Sequence, residues 1–85
     1  LSGEEEPPET AYLRQERKRA LHRAMGGLKR EYRQILWLLY FEDFTCREAA
    51  AVMKRSVHSV ETLAYRARRA LKTQLEQEGY TDEDL

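Results

Sequence analysis

The sequence predicts an all-α fold: a small domain of about four helices ending in a helix-turn-helix. Three observations carry this. Apolar residues recur at steps of three and four from Leu28 onward and again from Val57 onward, the period of a helix face rather than of a strand. Residues that start helices stand at Thr10, Thr45 and Ser56, and glycines close the runs at Gly26-Gly27 and Gly79. A chain of 85 residues also has room for only one core.

Each element follows in order. Residues 1–9, LSGEEEPPE, read as an acidic linker, because the glutamates repel one another and Pro7-Pro8 does not fit inside a helix. Thr10 is the expected N-cap of a first helix with loosely spaced apolar positions at Tyr12, Leu13, Ala20, Leu21 and Ala24. The second stripe is Leu28, Tyr32, Ile35, Leu36 and Leu39, broadened almost all round by Trp37, Leu38, Tyr40 and Phe41. Taken alone, Ile35–Phe41 also fits a strand. Because it continues a charged segment of helical period, it is read as a buried central helix that exits at Glu42-Asp43-Phe44. Thr45-Cys46-Arg47-Glu48 matches the capping box, in which the Thr hydroxyl and the Glu carboxylate each satisfy a free backbone N–H. A short helix through Ala49, Ala50, Ala51, Val52 and Met53 follows, then Lys54 and Arg55, then Ser56 as the next N-cap. The last helix keeps Val57, Val60, Ala64, Ala67 and Leu71 on one face, with Leu63, Ala70 and Leu75 beside them. Residues 10–78 thus form the domain, and 79–85 an acidic tail.

Composition narrows the function. The net charge is zero, but all fifteen Lys and Arg fall in residues 12–75, against six acids. A body of +9 therefore lies between tails of −4 and −5, a distribution that suits a polyanionic partner as well as a solvated helical surface. No apolar run approaches the ~20 residues of a membrane span, and the acidic start lacks the features of a secretory signal. Cys46 is the single cysteine; it has no partner for an internal disulfide and no His or Asp at a nucleophile's spacing. His22 and His58 lie far apart with no convergent Cys or Glu pattern, so no metal site and no cofactor is expected. Gly26-Gly27 lacks any phosphate-loop context. The expectation is an intracellular chain, and its start at Leu1 rather than Met fits a piece of something longer.

A short helix, a three-residue turn and a longer helix are the layout of a helix-turn-helix. Ala49, Ala50 and Ala51 are expected to supply the small residues such a crossing needs, with Val60 and Leu63 packed on them. The second helix would then expose His58, Ser59, Glu61, Thr62, Tyr65, Arg66 and Arg69, a polar face suited to reading base edges in the major groove. Arg47, Lys54, Arg55 and Ser56 stand where they would reach phosphates. The pattern alone also fits an ordinary helical hairpin with a solvated face. Likewise Arg66 alone fits a solvent-facing side chain beside a glutamate, and Tyr65 fits packing on the neighbouring helix.

The stretch Leu28 to Leu71 resembles region four of the bacterial RNA polymerase sigma factors of the sigma-70 family, in the layout of the extracytoplasmic-function group. The matching words are Tyr32-Arg33-Gln34-Ile35-Leu36, Leu39-Tyr40-Phe41-Glu42-Asp43-Phe44-Thr45, Arg47-Glu48-Ala49-Ala50, Ser59-Val60-Glu61-Thr62 and Tyr65-Arg66-Ala67-Arg68-Arg69-Ala70-Leu71. The resemblance implies a bacterial cytoplasmic domain that binds the upstream (minus-35) promoter DNA element and docks on the β flap of the RNA polymerase core, with an anti-sigma protein as a further partner. On that basis Trp37 and Tyr40 are either core or flap-docking residues, and 1–9 resembles the linker to region two, the part that melts DNA. The chain would then recognise a promoter without opening it. Two other classes stand beside this one: the output domain of another transcription regulator, which calls for a dimerising last helix, and a helical module that binds an anti-sigma or other protein.

Three positions depart from the family's pattern. Lys29 stands where Pro is frequent, Lys54 where the turn often has Gly, and Glu61 where a base is common. A glycine in that turn serves a left-handed backbone, so Lys54 predicts either mild strain or a turn of different shape. Glu61 is expected either to accept from a cytosine amino group or to clamp Arg66 or Arg55 in place.

Overall fold

Four helices account for the architecture of residues 7–80, the part that the computed structural model describes. They are α1 (Pro8–Gly26), α2 (Arg30–Leu36), α3 (Cys46–Met53) and α4 (Val57–Gln77), and a π-helical stretch, Trp37–Phe41, prolongs α2. Strands are absent among the described residues. Residues 1–6 and 81–85, which hold most of the expected linker and tail, lie outside them.

The first helix starts two residues before the expected Thr10 cap. Pro7 is the N-cap and Pro8 the first helical residue. Proline is favoured there because its missing N–H would have had no helical partner and its φ is already helical. The turn after Gly26 lies against α4: a Cβ on Gly27 would meet the Gln74 side-chain amide at 2.8 Å. Arg33 fastens the same turn by donating from Nη1 to the Leu28 carbonyl at 2.6 Å. Lys29 has φ −57°, a value that proline also holds, so this departure leaves the backbone of the turn intact.

Beyond Leu36 the helix widens. The Glu42 N–H donates to the Trp37 carbonyl at 3.0 Å, five residues back, and Phe44 reaches Leu38 at 2.9 Å. This stretch is not the buried central helix that the apolar run suggests. Ile35 and Leu36 are buried, but Trp37, Tyr40 and Phe41 are 47%, 56% and 45% exposed. An apolar run that covers every side of a helix exceeds what three neighbouring helices can cover. The wider turn places Trp37 and Phe41 together, stacked at 4.5 Å, outside the core.

The capping box at Thr45 is complete. Thr45 Oγ1 accepts from the Glu48 N–H at 3.1 Å, and Glu48 Oε1 accepts from the Thr45 N–H at 2.8 Å. Ala49 and Ala50 are buried with Val60 and Leu63 in the main cluster, which also holds Met25, Leu28, Ile35, Leu36, Ala64 and Ala67. Ala51, expected in that contact, is exposed; the inward face of α3 is Cys46, Ala49, Ala50 and Met53, the three- and four-residue steps that leave position 51 outside. A second cluster joins Ala20 and Ala24 of α1 to Leu75 of α4. Helix α4 ends with Gly79 at φ +95° and Tyr80 N–H donating to the Leu75 carbonyl at 3.0 Å, a Schellman ending that needs glycine's freedom. Arg23 ties this end to α1 by donating to Glu78 at 2.9 Å, and that carboxylate raises the guanidinium pKa above its ordinary value.

Candidate nucleic-acid interface

The three residues Lys54–Ser56 separate α3 from α4. Lys54 takes φ 57° and ψ 48°, the left-handed conformation. The Arg55 N–H then closes on the Ala50 carbonyl at 3.0 Å, the six-to-one bond of a Schellman ending. The turn therefore has the shape that a glycine would give it, and lysine carries the strain. Ser56 Oγ accepts from the Ser59 N–H at 3.0 Å and starts α4. Its hydroxyl oxygen is thus already used as a cap.

Two strips run along the first half of α4. His58, Glu61, Tyr65 and Arg69 form an exposed strip. Tyr65 is exposed; its hydroxyl accepts from Arg69 Nη1 at 3.1 Å, and the guanidinium lies 5.8 Å from its ring centroid. Glu61 makes no hydrogen bond or ion pair among the described residues, so it clamps neither arginine. The second strip is Arg55, Ser59, Thr62 and Arg66, with Ser59 and Thr62 half-buried. It lines a hollow of about 290 Å³ together with Lys29, Glu31, Tyr32 and Leu63. Arg55 donates from Nη2 to Glu31 Oε2 at 2.6 Å and from Nη1 to Ser59 Oγ at 3.2 Å. Arg66 is exposed and has no glutamate bound to it among the described residues. Arg47 is exposed on the first turn of α3, outside this hollow.

The place of Lys29, Glu31 and Tyr32 in this hollow was not legible in the sequence. Glu31 lies twenty-four residues from Arg55, a separation at which no helical spacing announces a pair. A second surface was also missed as a unit. Two apolar hollows of about 580 and 330 Å³ share Leu21, Met25 and Phe41, and Trp37 and Tyr40 line one each. Trp37 Nε1 donates to Glu42 at 3.1 Å, and Arg68 donates to the Tyr40 hydroxyl at 3.2 Å. Among the described residues no three His, Cys, Asp or Glu side chains are placed to hold a metal ion, and no helix is long and apolar enough to cross a membrane.

A short capped helix, a three-residue turn opened by a left-handed residue and a longer helix with an exposed polar face define a helix-turn-helix protein of the kind that reads duplex DNA. Residues 18–71 match the family model described as sigma-70, region 4, and the chain belongs to that family. It is also 35% identical over 65 residues to RNA polymerase sigma factor SigV of Bacillus subtilis, an alignment covering 76% of this chain. It spans 36% of the length of that relative.

Proposed function

We propose that this domain recognises the upstream (minus-35) promoter element during transcription initiation, as the region-four part of a sigma factor, and docks on the β flap of RNA polymerase. The observation that supports this best is the exposed polar face of α4, presented by a capped turn and flanked by cations. In this reading His58, Glu61, Thr62, Tyr65 and Arg66 face base edges. Arg47, Lys54 and Arg69 face phosphates, and Ser56 sets the start of the helix. Arginine's planar fork suits guanine O6 and N7. The apolar surface around Trp37 and Phe41 fits the flap: exposed stacked aromatics beside Met25 and Leu21 are what a helix partner with an apolar stripe would cover.

Selection of bound duplexes from a random library, followed by salt titration, tests the DNA part. A single enriched motif is expected. If about five phosphates are neutralised, log K should fall against log salt with a slope near −4 to −5. A flat salt response, or no enriched motif, would overturn it. Phe41→Ala should abolish capture of a β-flap fragment and leave DNA affinity unchanged; retained capture would overturn the docking assignment.

A further inference from the structure

We infer that the hollow between the start of α2 and the first half of α4 receives one phosphodiester of bound DNA, and that Glu31 holds its place on Arg55 when DNA is absent. This rests on the promoter-binding reading. A carboxylate and a phosphodiester offer a guanidinium the same pair of oxygens. Arg55 already has its fork turned into the hollow, one arm on Glu31 at 2.6 Å and the other steadied by Ser59 at 3.2 Å. Three cations, Lys29, Arg55 and Arg66, line the hollow with that single carboxylate. The Lys29 ammonium lies 5.5 Å from the Tyr32 ring centroid and makes no ion pair among the described residues. The hollow is thus more positive than its one acid neutralises. The Arg55–Glu31 pair is also part-exposed, at 35% and 43%, and exposed pairs of this kind are weak enough to be exchanged. A phosphate that displaces Glu31 gains Arg55, Ser59 and Lys29 together. Because phosphates carry no sequence information, the internal carboxylate lowers affinity for all duplexes alike.

The test is fluorescence anisotropy with the full chain, using a duplex obtained by selection and a shuffled one, over a salt series, with melting temperatures measured alongside. Glu31→Gln should tighten both duplexes about three- to five-fold, the worth of an exposed pair, and leave their ratio unchanged. Lys29→Ala should weaken both and reduce the salt slope by about one. A scan of duplexes bearing one neutral methylphosphonate linkage at a time should find a position that weakens the parent several-fold and weakens Lys29→Ala distinctly less, because Arg55 remains there. If the parent prefers the selected duplex, but Glu31→Gln binds no tighter at an unchanged melting temperature and no linkage behaves this way, the phosphate site is overturned while promoter recognition stands. If the parent prefers no sequence, promoter recognition falls. The phosphate site then falls too unless Glu31→Gln still tightens binding to both duplexes.

Discussion

Replacing Lys54 separates the backbone of the turn from its charge. Lys54 holds φ 57° and ψ 48°, where a Cβ crowds the following carbonyl at a cost of roughly 1–2 kcal/mol. Glycine removes that crowding but loses about 0.4–1 kcal/mol to its freer unfolded chain. Lys54→Gly should therefore stabilise the domain by roughly 0.8 kcal/mol, the midpoint of that difference, an increase in melting temperature of about 3–6 °C at this size. Lys54→Ala keeps the crowding and should melt with the parent. Both variants lose the same exposed cation, so both should bind DNA more weakly, with the salt slope reduced by about one if Lys54 meets a phosphate. Thermal unfolding followed by circular dichroism, beside anisotropy titrations, reads the two effects independently. Gly and Ala variants that melt together would refute the strain assignment, whatever happens to DNA binding.

Ala50→Leu should destabilise by ~1–3 kcal/mol through overpacking, since Ala50 is 5% exposed within the main cluster, whereas Ala51→Leu should be nearly neutral in the same melts. Thr45→Ala should cost ~0.5–2 kcal/mol in denaturant unfolding, because the Glu48 N–H loses its acceptor, Thr45 Oγ1, while the Thr45 backbone N–H keeps Glu48; an unchanged midpoint would mean that the side-chain cap contributes nothing. Glu61 is exposed and unpartnered, so Glu61→Gln should lower affinity for sites with a cytosine at one position by about 1–3 kcal/mol of discrimination and spare other sites. A uniform gain with Glu61→Lys, without change of preference, would make the carboxylate a charge penalty only.

What could be read in the chain were the features written in consecutive residues. Thr45 and Glu48 are three apart, and their reciprocal bonds follow from that spacing. Val60, Ala64 and Ala67 are buried as their period required. Gly79 has the positive φ that its place after α4 called for. The misreadings came where spacing is silent. Pro8 opens α1 because proline is disfavoured inside a helix but not at its first position. Trp37–Phe41 looked buried because hydrophobicity alone does not say how many neighbours a helix will have. Within the candidate interface, the exposed strip of α4 was legible. The Arg55–Glu31 pair was not, because it depends on how two helices far apart in sequence are placed.

The alanines at the helix crossings bear on how the polar face of α4 is held. Ala49, Ala50, Ala64 and Ala67 are buried in the main cluster beside Val60 and Leu63. An alanine has no side-chain rotamers to interconvert, so these four positions add no side-chain freedom to the packing that holds α4. A surface presented in this way gives up little conformational freedom when it meets a rigid duplex. The ordering that binding would otherwise have to supply has already taken place on folding.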